Sequence, residues 1–254
     1  MFPLALALSA TPLHGQPVFR DGVDLVHLGV TVVAKDGQPV SGLTADDFVI
    51  QEEGVEQGIA YFSSGLDSDL ETMPLHLGVL LDTSGSMDRD AGFAKTAAIR
   101  FLRGLSFAVD MTLVSFDTEV RVSRFGQADF PRLVERLREQ ATGGMTAFYD
   151  ALGVYLDGAS AQDGRKVLLL YTDGGDTRSR MRRRELLDLI RASDVTVYAI
   201  GFQTHLRTAD RMMERRRLEE IVGLSGGRCY FPNSVRELDD IYAQIRAELA
   251  TRYS

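Results

Sequence analysis

The chain has a single cysteine, Cys229, and no tryptophan. One thiol cannot close an intrachain disulfide, so a disulfide-stapled scaffold is ruled out. Cys229 stands before Tyr230 and Phe231, the company of a strand residue packed away from water, and a reactive thiol is not expected there. The histidines His14, His27, His76 and His205 are scattered, with no HxxxH pair and no Cys/His cluster. A zinc centre is therefore not expected. Basic charge is also short: 28 Lys and Arg against 36 Asp and Glu leave a formal charge of −8. Nucleic acid as a main partner needs a basic face, and this balance argues against it. The run Arg182 to Arg184 is followed by Glu185 and reads as the solvated start of a helix. Past the N-terminus, no stretch is long and apolar enough to span a membrane. A P-loop is also missing.

What is present suits a globular protein. The length of 254 residues accommodates one large α/β domain with a small appendage, and 44% hydrophobic residues can build a core. The opening MFPLALALSATPLHGQ is a short apolar run ending in small residues, like the core and cleavage region of a secretory signal, although the basic leading segment is missing. We expect residues 1–17 to be an export signal, cleaved after about residue 15, and the mature protein to be secreted, periplasmic or at the cell surface. Residues 18–65 read as a small all-β module of about four strands, thin for a self-sufficient core. Residues 66–74 read as a linker, and 75–254 as the main domain.

From residue 75 strands and helices alternate. LHLGVLLD (75–82) is near-continuously apolar, as a central parallel strand should be. MTLVSF (111–116) and VRVSRF (120–125) flank the turn Asp117-Thr118-Glu119 and predict a hairpin, which places one antiparallel strand at the sheet edge. KVLLLYT (166–172), VTVYAIGF (195–202) and RCYF (228–231) supply further strands, with helices between them and a last helix over about 234–250. The expectation is a doubly wound α/β fold around a mainly parallel six-stranded sheet.

Ligands of such sheets bind outside the carboxyl ends of the strands. Three oxygen-rich segments fall there. Asp82-Thr83-Ser84-Gly85-Ser86 follows the first central strand; its side chains could face one ligand, or simply cap the next helix. Thr142-Gly143-Gly144-Met145-Thr146 precedes a helix, which Thr146 could cap. Thr172-Asp173-Gly174-Gly175-Asp176 follows another apolar strand; Asp173 stands at the strand end, and Asp176 reads better as turn or cap chemistry.

In their order along the chain, these segments resemble the metal-ion-dependent adhesion site of von Willebrand factor A-type domains, over about residues 75 to 250. The earlier VTVVAKDGQPVSGLTADDF and EEGVEQ segments are similar to the leader of a bacterial subgroup called VWFA-related. The resemblance implies metal coordination by Ser84, Ser86 and Thr146, with Asp82 and Asp173 acting directly or through water. All-oxygen donors suit hard cations: Mg²⁺ first, with Mn²⁺ or Ca²⁺ as alternatives. It further implies a protein partner whose Asp or Glu completes the metal shell, in adhesion or assembly, without catalysis. Two other readings compete. One is a Mg²⁺-dependent hydrolase or phosphatase using Asp82, although such enzymes resemble D-x-D-x-T and the second acidic position here is Ser84. The other is a structural domain whose metal only stiffens the loops.

Overall fold

The computed structural model describes residues 28–35, 39–63, 74–105, 108–203, 206–250 and 253. The expected export signal, and the expected linker apart from residue 74, lie outside them.

The described part of the N-terminal module holds less strand than its composition predicts. Strands β1 (Ile50–Glu52) and β2 (Val55–Gln57) form a short antiparallel ladder around a turn at Glu53 and Gly54. Residues 59–62 are not a strand, and Val30 and Val33 make only isolated bridges, to Tyr253 and Pro39. Strands this short bury too little to stand alone. The segment instead closes on the other end of the chain. Tyr253 exchanges backbone hydrogen bonds with Val30, and its ring packs 5.3 Å from Phe48 and 5.7 Å from Phe62.

The main domain runs β3 (Leu75–Asp82), α1 (Ala91–Arg103), β4 (Asp110–Phe116), β5 (Val120–Gly126), α2 (Phe130–Glu139) and α3 (Phe148–Ser160). It continues with β6 (Arg165–Thr172), α4 (Arg183–Ala192), β7 (Thr196–Gly201), α5 (Thr208–Leu224), β8 (Cys229–Tyr230) and α6 (Val235–Ala250). The six strands lie in the order β5-β4-β3-β6-β7-β8, all parallel except β5, which pairs antiparallel with β4 at the edge as the sequence predicts. The β4–β5 turn is held by the Asp117 carboxylate, which accepts the Glu119 N–H at 2.9 Å and pairs with Arg121 at 2.9 Å.

Strand periodicity divides the core into two layers. Leu77, Val79 and Leu81 of β3 face one way and pack with α1 and α6 residues such as Phe101 and Ile245. Leu80 faces the other way, among Leu152, Leu186 and Leu218 of α3, α4 and α5. Gly78 shares that second face, and a Cβ there would stand 2.3 Å from the Tyr155 ring, so this position receives the α3 tyrosine and has no room for a side chain.

The connection after β3 leads to β4 on one side, and the chain returns after α3 to β6 on the other. Strand order therefore reverses at β3, and a crevice opens at its carboxyl end. The register that pairs Leu81 with Tyr171 sets the ends of β3 and β6 side by side there.

Candidate metal centre

Asp82 is the last residue of β3 and is only 1% exposed. Its Oδ1 accepts the Ser84 N–H at 2.9 Å, and its Oδ2 accepts the Thr172 hydroxyl at 2.6 Å. Burial, and then the nearby charge of Asp173, push its carboxyl up to about 7, with hydrogen bonds from Ser84 and Thr172 pulling partly back. Two carboxylates converging in a water-poor crevice repel each other, which a positive ion between them would relieve.

Ser84 is buried and Ser86 exposed, and their hydroxyl oxygens lie 3.1 Å apart. Neither caps a helix with its side chain: Ser84 precedes a short 3-10 turn without such a bond, and Asp90 occupies the N-cap of α1. The helix-capping account of D-x-S-x-S therefore fails for both serine side chains. Thr83 anchors this loop to β4, its N–H and hydroxyl both donating to the Phe116 carbonyl, at 2.8 and 3.0 Å.

The second loop is tied to the first through backbone. Gly143 N–H donates to the Thr83 carbonyl at 2.8 Å, and Gly85 N–H to the Gly144 carbonyl at 3.2 Å. Gly144 has φ +74°, and a Cβ would meet the Thr118 hydroxyl at 2.5 Å, so the close approach requires glycine. Thr142 and Asp88 add a side-chain hydrogen bond between the same loops. Thr146, 5% exposed, lies two residues before α3, and Ala147 takes the N-cap position. Its N–H donates to the Thr177 hydroxyl at 3.0 Å, and its carbonyl accepts Thr177 and Arg178 N–H at 2.9 Å each. These bonds join the second loop to the third and leave the Thr146 hydroxyl as its group for a ligand.

Asp173, 3% exposed, follows β6 directly. Its Oδ1 accepts Gly175 N–H at 3.0 Å, and its backbone carbonyl accepts the Gln203 amide at 3.0 Å. Asp176 is structural, as its position predicts: it accepts Tyr149 N–H at 3.2 Å, in the first turn of α3, and the Ser179 hydroxyl at 2.5 Å.

The structure thus links Asp82, Ser84 and Ser86 directly, sets Asp173 within electrostatic reach of Asp82, and brings Thr146 to the same rim by backbone bonds. Sequence reasoning missed Thr172, Gln203 and Thr177, which position the candidates. Thr172 had a signal, a hydroxyl one residue before a strand-end aspartate; Gln203 and Thr177 had none. Among the described residues, no group of three or more His, Cys, Asp or Glu side chains could hold a metal. The donor set here is mixed, two carboxylates and three hydroxyls, and hard oxygen donors of this kind fit a divalent cation of the Mg²⁺ type.

The profile of the von Willebrand factor type A domain matches residues 76–244. No curated protein matches the chain. Among solved structures, it is similar to a von Willebrand factor type A protein from Catenulispora acidiphila, with a TM-score of 0.56 and 20% identity over 70% of this chain and 43% of that one. It is also similar to a D319A mutant of the PilB minor pilin from Streptococcus sanguinis, with a TM-score of 0.56 and 15% identity over 70% of this chain and 62% of that one. This chain therefore spans less than two thirds of either. A third likeness is the vWF domain of the type V pili tip protein Mfa5 from Porphyromonas gingivalis, with a TM-score of 0.54 and 12% identity over 70% of this chain and 96% of that domain. At these identities the likeness is one of fold. The family match covers most of the chain and coincides with the six-stranded α/β domain: the chain belongs to the von Willebrand factor type A domain family.

Proposed function

We propose that this domain binds a protein partner through a divalent cation, most simply Mg²⁺, held by Asp82, Ser84, Ser86, Thr146 and Asp173, with Mn²⁺ or Ca²⁺ as substitutes. The observation that carries this reading is the buried, mutually repelling pair Asp82 and Asp173, set among hydroxyls at the carboxyl edge of the sheet. A cation held there supplies an electrophilic coordination position to a partner's Asp or Glu. The protein's own part is to orient and exclude water. Thr172 and Ser84 fix the Asp82 carboxylate, Gly175 fixes that of Asp173, and the glycine-linked loops hold the hydroxyls in place.

The binding reading is favoured over an aspartyl-nucleophile hydrolase. Both Asp82 oxygens are already engaged by tight hydrogen bonds and the group is buried, which suits an anchored ligand better than an attacking one. The pilin and pilus-tip likenesses support a role in adhesion or assembly at a cell surface. None of the described helices is long and apolar enough to cross a membrane.

The test is titration calorimetry of the full chain with Mg²⁺ and Mn²⁺, joined to chelator-sensitive capture of partners from the native source. Thr146→Ala removes one hydroxyl while leaving the α3 N-cap intact, and should weaken capture on the order of tenfold or more. Chelation should release the partner with little change in circular dichroism. If neither treatment alters partner affinity, the structural reading replaces this one. Turnover of a generic phosphate ester with Mg²⁺ would instead restore the hydrolase reading.

A further inference from the structure

A groove of about 680 Å³ begins beside the candidate metal centre and runs along α3. Its near end is formed by Thr118 and Ala147, the residue after Thr146. Its floor passes Gly153 and Val154 and reaches Leu189 on α4. Val154 is 45% exposed and Leu189 40%, so the floor offers apolar surface to a ligand.

The rim facing α3 is the loop between Asp176 and α4. Residues 177–182, TRSRMR, carry three arginines and no acid, in a chain of net charge −8, while Arg183 at the start of α4 pairs with Glu220. Arg178 and Arg180 line the groove. Several arginines elsewhere are paired with acids, as Arg100 is with Asp239, Arg121 with Asp117 and Arg215 with Glu219. Among the described residues, no acidic side chain forms an ion pair with Arg178 or Arg180. The neighbouring carboxylate, Asp150, is already occupied, accepting Arg180 N–H at 3.0 Å and Met181 N–H at 2.8 Å. The loop is also fixed in place. Thr177 and Arg178 N–H bond the Thr146 carbonyl, and the Met181 methyl lies over Gly153, where a Cβ would stand 2.5 Å from it. The loop that carries Arg178 and Arg180 is therefore preorganised and attached to a proposed metal ligand, and neither guanidinium is held in an ion pair among the described residues.

We propose that this groove takes an extended acidic segment of the protein partner, with glutamate or aspartate residues flanking the metal-binding carboxylate and an apolar side chain resting on Val154 and Leu189. The inference rests on the reading of the site as one that receives a partner carboxylate. Complementarity of charge argues for the occupant: Arg178 and Arg180 attract acids at the end nearest Thr146, where the Asp150 carboxylate is turned onto the loop backbone, while Asp157 makes the far end unfavourable to them. Such an arrangement also fixes the direction of the bound segment, acids toward the cation and apolar residue away from it.

The experiment uses the full chain and three short fluorescent peptides, read by polarisation with Mg²⁺ and again with chelator. The first peptide has one Asp flanked by glutamates and followed by a leucine. The second replaces the flanking glutamates by glutamine, and the third replaces the leucine by serine. In Mg²⁺ the first peptide should bind about tenfold more tightly than the second, the sum of two rim charges. The double variant Arg178→Ala/Arg180→Ala keeps the backbone bonds of the loop and should erase that difference. Val154→Glu, on the exposed face of α3, should erase the advantage of the first peptide over the third. Equal binding of the first two peptides, a glutamate preference that survives in the double variant, or no binding of any peptide overturns the proposal. The chelator arm separates it from the cation reading. A glutamate preference that persists unchanged in chelator keeps the groove and overturns the cation. Chelator-sensitive binding with no glutamate preference keeps the cation and overturns the groove.

Discussion

The hydroxyl of Thr172, at the end of β6, donates to Oδ2 of Asp82, at the end of β3, over 2.6 Å. The same oxygen of Thr172 accepts the Gly174 N–H at 3.1 Å, so one side chain ties Asp82 to the turn that carries Asp173. Hydrogen bonds to charged groups are worth about 1.5–3 kcal/mol, and this one fixes a carboxylate that would otherwise rotate.

Thr172→Val keeps the side-chain shape and removes that bond. Cation affinity should fall by about tenfold, while Thr172→Ser should retain it. Titration calorimetry with Mn²⁺ decides this, and an unchanged affinity in the valine variant would show that Thr172 does not position the site.

Asp82→Asn should have opposite effects with and without the ion. In chelator at pH 8, the wild-type carboxylate is ionised and buried next to Asp173, so the neutral variant should be more stable, by about 1 kcal/mol or 2–4 °C in Tm. In Mg²⁺ the order should reverse, because a cation that binds only the folded wild type stabilises it. A variant less stable than wild type in chelator would show that the repulsion is not felt in the fold.

Tyr253→Ala should release the N-terminal segment without touching the metal centre. The ring is 2% exposed and packs with Phe48 and Phe62, and its hydroxyl donates to the Val40 carbonyl at 2.9 Å and accepts Leu43 N–H at 3.1 Å. Loss of a buried aromatic costs about 3–5 kcal/mol where its surroundings cannot collapse. Hydrogen exchange should therefore show lost protection around β1 and β2, with protection of β3 and β6 preserved. Equal protection in wild type and variant would refute the clamp.

Cys229 should be chemically inert in the native chain. Burial, with Glu219 nearby, pushes its thiol up to about 12, and Arg215 offsets only part of this. At pH 8 a group of that acidity is thiolate in about one molecule in ten thousand. Reaction with a disulfide reagent at pH 8 should be much slower for the folded chain than after urea unfolding; similar rates would show that the thiol is accessible and active.

The alternation of strands and helices, the apolar runs of β3 and β6 and the edge hairpin at Asp117 to Glu119 were legible because each is a local pattern. Periodicity, propensity and turn chemistry act within a few residues. The strand-end positions of Asp82 and Asp173 follow from the same patterns. In the N-terminal segment local reading overreached: β-branched runs predicted about four strands, but β1 and β2 are the only two-stranded ladder among its described residues. A propensity for extended backbone does not provide the partner strands that a sheet requires.

What the chain's order of residues determined by itself was therefore the sheet, its single antiparallel edge, and which oxygen side chains stand at the carboxyl ends of β3 and β6. Tertiary structure alone decided how those oxygens meet. Thr172 lies 90 residues from Asp82, Gln203 reaches the Asp173 carbonyl from 30 residues away, and Tyr253 closes on Val40 across 213. No local preference encodes such pairs. They form because parallel strand register sets β3 beside β6, and because a polar group buried there must find a partner once water is excluded.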